Sequence, residues 1–333
     1  MSSTPDQLLV GPDWLVDDML RVERLLADTA GRSAHPLVSE AALHLLKAGG
    51  KRLRPALVLL TARAGEAGNR ATDLAAAAVE LVHLATLYHD DVIDGTQTRR
   101  GVPTAHAKWG TDVAVLAGDY LFACSCGLGA EAGGEVSEIL AAAIARVCEG
   151  QIVETASLND PRRSVADYLE VISGKTAALF AAACELGAAT SAVPPESRTA
   201  LVDYGRHLGL AFQVVDDLLD LVGDPAITGK VPGTDLKEGV FTVPVLLACE
   251  RDPAFAGSLE AGLRDLHEVL PVLRETGSLE DALKVAQEHG ETARRALLEG
   301  FEDSDWRSVL LTIVEGVLAQ PGLVHQSPTI GKP

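Results

Sequence analysis

Two short stretches of this 333-residue chain carry the same acidic pattern. His89-Asp90-Asp91-Val92-Ile93-Asp94 and Val215-Asp216-Asp217-Leu218-Leu219-Asp220 both read Asp-Asp-x-x-Asp within apolar sequence. On a helix, Asp90 and Asp94 lie one turn apart on one face, and so do Asp216 and Asp220. Like charges at that spacing repel, by about 0.3 kcal/mol even when exposed. The flanking Leu87, Val92, Leu218 and Leu219 imply partial burial, where an unpaired carboxylate costs far more. The turn before each motif is apolar, so its own helix supplies no lysine or arginine. A divalent cation is the simplest compensation. All-oxygen ligation with few protein ligands per ion suits Mg²⁺, which keeps waters and shares substrate phosphates. His83 and His89 lie close enough to keep a transition metal conceivable, but neither a Glu-x-x-His pairing nor a Cys/His zinc spacing is present. One such motif among 47 acidic residues would equally describe a solvated helix face. Two, accompanied by clustered cations, point to a metal site.

Four basic elements accompany them. Gly49-Gly50-Lys51-Arg52-Leu53-Arg54-Pro55 ends one helix and opens another, placing Lys51 and Arg54 at a helix start where backbone N–H groups favour anions. Thr98-Arg99-Arg100-Gly101 follows the first acidic motif, near the end of its helix; dipole compensation accounts for one arginine more readily than for two. Ser173-Gly174-Lys175-Thr176 falls inside a long apolar helix, where glycine is costly and Lys175 has no evident acidic partner on its face. It is not a phosphate-binding P-loop, because Leu169 stands where the partner glycine belongs and no strand precedes it. Gly229-Lys230-x-x-Gly233-x-Asp235-Leu236 follows the second motif. Together these elements suit a cavity holding polyphosphate, part of it through Mg²⁺ and part directly through Lys and Arg.

The elements that must position these groups are helical. Thr72–Asp94 is Ala- and Leu-rich with Thr72 as a candidate N-cap, and 135–155, 164–187 and 196–221 are similar. Runs rich in Val, Ile and Thr are missing and aromatics are 4% of the chain, which predicts ten or more helices and essentially no sheet. No linker divides the chain, so the expectation is one all-α domain over 1–333, with 1–12 and 321–333 as loose ends. Net charge of −19 argues against nucleic-acid partners. Five cysteines, Cys124, Cys126, Cys148, Cys184 and Cys249, read as small core residues in a reducing cytoplasm rather than as a disulfide framework. No uninterrupted apolar run of membrane-spanning length is evident, and no signal peptide opens the chain.

At this point the residues resemble the trans-polyprenyl (isoprenyl) diphosphate synthase family, long-chain type. The likeness runs from Gly49-Gly50-Lys51-Arg52-Leu53-Arg54-Pro55 through the first motif, Arg99-Arg100-Gly101, Gly174-Lys175-Thr176 and Phe212–Asp220 to Gly229-Lys230 and Asp235-Leu236. The resemblance implies an isoprenoid-synthase-like bundle around a central cavity and a homodimer. It also implies Mg²⁺-dependent head-to-tail condensation of isopentenyl diphosphate with an allylic diphosphate, with three Mg²⁺ ions when substrate is bound. By the same resemblance, Asp90, Asp94 and Asp216 are the principal metal ligands, supported by Asp91, Asp217 and Asp220. Arg99, Lys175, Gln213 and Lys230 would hold the allylic diphosphate; Lys51, Arg54, His83 and Arg100 would hold isopentenyl diphosphate; Thr176 would line the reacting region. The helical stripe 83, 87, 90, 94 independently puts His83 on the aspartate side. One departure stands out: where the family often reads Gly-Lys-x-Thr, this chain has Gly239-Val240-Phe241-Thr242, so one lysine is missing.

The family sets product length with residues just before the first motif. Ala85 is small and Thr86 modest, which predicts a C30 or longer product of the kind used for quinone side chains, with Phe122 or Tyr120 as a stop deeper in. A shorter C15 or C20 product is the alternative. A terpene cyclase would carry Ser or Thr at position 220 and would not need the cluster at 51–54. A non-catalytic partner subunit would have no reason to keep both acidic motifs.

Overall fold

The computed structural model describes residues 11–66, 68–225 and 231–319. Lys230, most of the expected N-terminal arm and the 321–333 tail lie outside the described residues. Within them the chain is helical with one exception, a two-residue antiparallel pairing of β1 (Thr98–Arg99) with β2 (Val102–Pro103). The helices form two compact units, interleaved along the sequence.

The first unit comprises Met1–Ala145, Leu179–Gly205 and Ala296–Leu311. It opens with α1 (Asp13–Ala30), α2 (Pro36–Lys47), α3 (Leu53–Thr61) and α4 (Arg70–Ile93). After the β pairing come α5 (Ala105–Trp109), α6 (Thr111–Ala132) and the start of α7 (Gly134–Ala156). Helix α4 is the spine: the run Leu74–Val79 and Leu81, Val82, Leu84, Ala85 and Tyr88 are buried, against α6, α3 and α1. The ladder between α4 and α6 is antiparallel, with the Ser125 hydroxyl donating to the Ala78 carbonyl (2.9 Å) and His89 seated on Gly118. The Tyr88 hydroxyl ties α4 to α2, donating to the Ala41 carbonyl at 2.5 Å. The helix begins at Arg70 and its cap is Asn69, not Thr72: Asn69 Oδ1 accepts from the Thr72 N–H at 2.9 Å. Asn69 has the extended backbone a cap needs, while Thr72 is already helical and buried.

The second unit comprises Arg146–Ala178, Arg206–Arg295 and Thr312–Pro333. Helix α8 (Val165–Ile172) opens with a reciprocal capping box between Ser164 and Asp167. It runs into one wide turn over Ser173–Ala177 before α9 (Ala178–Thr190). Then come α10 (Pro195–Val222), α11 (Thr234–Glu238), α12 (Val243–Arg251), α13 (Pro253–Glu260) and α14 (Leu266–Glu275). Helices α15 (Ser278–Gly300) and α16 (Asp305–Leu318) close the described chain. Helix α12, nearly all buried, packs against α13, α14 and α8.

Two expectations change here. Cys124, Cys184 and Cys249 are buried, but Cys126 and Cys148 are exposed, because they fall on the outward faces of α6 and α7. Two stretches, Thr111–Ala132 and Val165–Thr190, are long and apolar enough to cross a membrane by composition alone. The second is two-thirds buried in the protein, as a core segment is. On α6, Val115 (36% exposed) and Leu116 (65% exposed) face outward.

Candidate active site

In the first unit the candidate residues lie at the C-terminal end of α4, in the β1–β2 loop and at the helix start at 52–54. Along the acidic motif, Asp90 is half-buried, Asp91 is 1% exposed and Asp94 is exposed as the C-cap, its N–H bonded to the Asp90 carbonyl at 2.8 Å. The pair Arg99-Arg100 is not a helix end. Arg100 and Gly101 both have positive φ (53° and 76°) and form the tight loop of the β1–β2 pairing, a geometry that glycine makes easy at the second position. This loop turns Arg99 back onto the motif, where its Nε donates to Asp91 Oδ1 at 2.6 Å. Burial raises the Asp91 carboxyl above its ordinary range and Arg99 opposes that. Asp91 Oδ2, also buried, has no hydrogen-bond partner among the described residues.

Beside it lies a partly buried arginine cluster around Glu80, with Glu23 at its edge. Arg52, at φ 49° and 7% exposed, donates to Glu23 (2.6 Å), to Glu80 (3.1 Å) and to the Leu46 carbonyl (3.0 Å). Arg100 donates to the carbonyls of Gly49 and Leu45. Gly50 makes that possible: at φ 150° it takes a backbone shape side chains resist, and a Cβ there would sit 2.8 Å from the Arg100 guanidinium. Arg54 stacks on the Phe180 ring at 4.7 Å, its Nε buried without a hydrogen bond, and burial pushes it down to about 10. Glu80 is 2% exposed. Burial raises its carboxyl, against the pull of Arg52, Arg54 and Arg100. Burial first, then the same arginines and Arg99, hold the His83 imidazole well below its usual range, so it stays neutral. Lys51 is exposed. The three arginines, Arg52, Arg54 and Arg100, exceed the two carboxylates that face them, Glu23 and Glu80, which is the electrostatics of an anion site.

Lys175 and Thr176 sit in the wide turn of the second unit, and its glycine now has a reason. Gly174 meets Gly150 of α7 so closely that a Cβ on Gly150 would lie 2.5 Å from the Lys175 backbone nitrogen. Lys175 has no acidic partner on its own helix but pairs with Glu154, one turn beyond Gly150 on α7. Thr176 Oγ1 donates to Gln213 Oε1 (2.8 Å), and Gln213 Nε2 donates to Asp217 Oδ1 (2.8 Å). The Tyr168 hydroxyl donates to Asp217 Oδ2 at 2.5 Å. Asp216 is half-buried, while Asp217 (1% exposed) and Asp220 (5%) are buried. Burial lifts the Asp217 carboxyl to about 7. The two Asp220 oxygens accept from the backbone N–H groups of Thr234 and Asp235, each at 3.2 Å, and so anchor the start of α11. Where the expected lysine is missing, Val240 is half-buried, and the buried Arg163 donates to the neighbouring Phe241 carbonyl (3.0 Å) with its guanidinium over the Tyr168 ring at 4.9 Å.

The donor set fits a hard divalent cation. It is carboxylate oxygen, and one oxygen of buried Asp91 lacks a hydrogen bond. Among the described residues no three His, Cys, Asp or Glu converge on one point. A cation here would complete its shell with water and phosphate, as Mg²⁺ does and as zinc in a protein cage does not. Of the chain-length residues, Ala85 is fully buried and the Thr86 hydroxyl is turned back onto the His83 carbonyl (2.8 Å). Phe122 lies beside the His89 ring, 5.5 Å between centroids. Glu80, Glu154, Tyr168 and Arg163 were not singled out by sequence. The available signal was Glu80 as a lone carboxylate in an apolar run.

Known proteins place these features in one family. The polyprenyl synthetase family profile matches residues 35–268. The chain is 38% identical over 310 residues to a nonaprenyl diphosphate synthase of Mycobacterium tuberculosis, covering 91% of this chain and 92% of that protein. It is 38% identical over 302 residues to heptaprenyl diphosphate synthase component 2 of Geobacillus stearothermophilus, covering 89% and 94%. Its structure is similar to a decaprenyl diphosphate synthase from Rhodobacter capsulatus (TM-score 0.87, 39% identity, 92% and 97% covered). It is also similar to a polyprenyl synthase from Caulobacter crescentus complexed with calcium and isoprenyl diphosphate (TM-score 0.86, 38% identity, 96% and 99% covered). The chain belongs to the polyprenyl synthetase family, and it is a prenyltransferase with that family's all-α fold.

Proposed function

We propose that this enzyme condenses isopentenyl diphosphate head-to-tail with an allylic diphosphate, giving an all-trans polyprenyl diphosphate of C30 or longer. The observation that carries the proposal is the cluster of buried Arg52 with half-buried Arg54 and Arg100 against only two carboxylates, Glu80 and Glu23: surplus positive charge, built into a chain of net charge −19. Such a site takes an anion with several oxygens, and a diphosphate is one. Arg54, Arg100 and Lys51, with neutral His83, hold isopentenyl diphosphate; Arg99, Lys175, Lys230 and Gln213 hold the allylic diphosphate.

Asp90, Asp94 and Asp216 would hold Mg²⁺, with Asp91 beside them. When bound, the metal neutralises the diphosphate leaving group as its C–O bond breaks. The chain's own part is binding and orientation. Fixed arginines receive the anionic groups without reorganising, and buried apolar helices keep water from the allylic cation. The double bond of isopentenyl diphosphate then attacks, and a proton is lost to diphosphate. No protein nucleophile is required.

The names of the nonaprenyl, heptaprenyl and decaprenyl relatives support the long product, as does small, buried Ala85. We take residues 1–333 as one synthase domain acting as a cytoplasmic homodimer. The outward apolar residues of α6, Val115 and Leu116, support a second copy as their cover. Purified protein with Mg²⁺, radiolabelled isopentenyl diphosphate and C10, C15 or C20 primers tests the reading. Acid-labile products of C30 or more are expected, and hydrocarbon formed from the allylic substrate alone would sink it. Because one relative is named component 2, activity that appears only with a second protein would add a partner rather than change the chemistry.

A further inference from the structure

We propose that Tyr168 is a positioning residue of the second acidic motif, acting through Asp217 and α10 on the orientation of the neighbouring Asp216. The inference rests on the reading of the protein as a metal-dependent synthase. Tyr168 is 2% exposed on α8, and its hydroxyl donates to Asp217 Oδ2 at 2.5 Å. Gln213, one turn before Asp217 on α10, donates to the other oxygen, Oδ1, at 2.8 Å. Its amide orientation is fixed from behind, since the Thr176 hydroxyl donates to Gln213 Oε1 at 2.8 Å. The direction of each hydrogen bond is thereby set from Thr176 to Gln213 to Asp217, and from Tyr168 to Asp217. Neither Asp217 oxygen is left without a donor.

The chain of contacts has two attachment points on each side. Tyr168 precedes the wide turn that carries Lys175 and Thr176 sits within it, while Asp217 and Gln213 are one helical turn apart on α10. Two bonds at that separation fix α10 against rotation about its own axis. Rotation is the motion that would swing the neighbouring, half-buried Asp216 away from its binding direction. Arg163, held by the Phe241 carbonyl and the Ser157 hydroxyl, lies over the Tyr168 ring and holds the tyrosine from its other face. The two Asp220 oxygens accept from backbone N–H groups of α11. Hydrogen-bond partners behind a metal-binding carboxylate group act on the metal by orienting the ligands.

The test is Tyr168→Phe in the full-length protein, read by Mn²⁺ binding in electron paramagnetic resonance with inorganic pyrophosphate present. Binding should weaken roughly 10-fold or more, the range for loss of a partner behind a ligand. The KM for isopentenyl diphosphate should not change. Mn²⁺ affinity that is unchanged or tighter overturns the proposal. Should Tyr168→Phe not fold, judged by its melting curve, Thr176→Val carries the test. It releases the Gln213 amide and should weaken Mn²⁺ binding about threefold, the worth of one neutral hydrogen bond, whereas unchanged affinity overturns the proposal. Wild-type protein that binds Mn²⁺-pyrophosphate but does not join the two diphosphates would refute the synthase reading while leaving the role of Tyr168 standing.

Discussion

The two acidic motifs share a sequence pattern and part company in their surroundings. In both, the first aspartate, Asp90 or Asp216, is half-buried, and the second, Asp91 or Asp217, is 1% exposed and held by a residue from elsewhere in its unit. Asp91 is held by a cation, Arg99, and keeps one oxygen without a hydrogen bond. Asp217 is held by two neutral donors and keeps none. The third aspartates diverge further: Asp94 is an exposed helix end, whereas Asp220 is buried and anchors α11. The same five-residue pattern has been used once with ionic compensation that leaves an Asp91 oxygen open, and once as a hydrogen-bonded framework around Asp217 and Asp220.

The largest expected effect falls on what the motifs share. Asp90→Ala and Asp216→Ala should each lower kcat by about 10²- to 10³-fold, the scale for loss of one preorganised stabiliser of developing charge, with melting temperature nearly unchanged. A much smaller loss for one of them would mean that the first aspartates are not equivalent.

The next effect separates the motifs. Arg99→Ala leaves a buried carboxylate without its cation and should cost about 3 kcal/mol in urea unfolding. Tyr168→Phe removes one neutral donor and should cost about 1 kcal/mol. Equal costs would erase the contrast between ionic and neutral compensation.

A third, smaller signature is pH dependence of the metal-free protein. The Asp217 carboxyl is lifted to about 7 in the folded state, by burial above all, and lies near 3.9 in the unfolded chain. Between those values the folded state holds a proton that the unfolded state does not. This contribution to stability is therefore full below about pH 4 and lost as pH rises toward about 7. Asp217→Asn should flatten that slope, checked by urea midpoints across the window; an unchanged slope would place the titration elsewhere. The smallest effect on rate should come from Ala85→Phe, which fills a fully buried position on α4. It should shorten the product, read by chromatography of dephosphorylated prenols, and an unchanged chain length would remove Ala85 from the set that determines it.

Much of this arrangement was legible in the sequence. Apolar periodicity at 3.6 residues located α4, α7 and α10 to within a few residues, because an amphipathic or wholly buried helix repeats its pattern locally. The glycine in Ser173-Gly174-Lys175-Thr176 was visibly out of place, but its reason, close approach to Gly150, lies 24 positions away in the sequence. The partner of Lys175 escaped notice for the same reason: Glu154 lies on another helix. Arg99 and Arg100 read as a helix terminus because a two-residue β pairing leaves almost no periodic signal.

By itself, the sequence determined the all-α class, the two acidic motifs, the clustered cations and the kind of chemistry they serve. Spacing along a helix decides which side chains share a face, and composition decides which faces are buried. The tertiary structure alone decided which donors the buried aspartates receive. That choice depends on donors brought from distant positions: Arg99 to Asp91, Tyr168 and Gln213 to Asp217, and the N–H groups of Thr234 and Asp235 to Asp220. A carboxylate's chemistry is set by what fills its oxygens, and no local pattern carries that information.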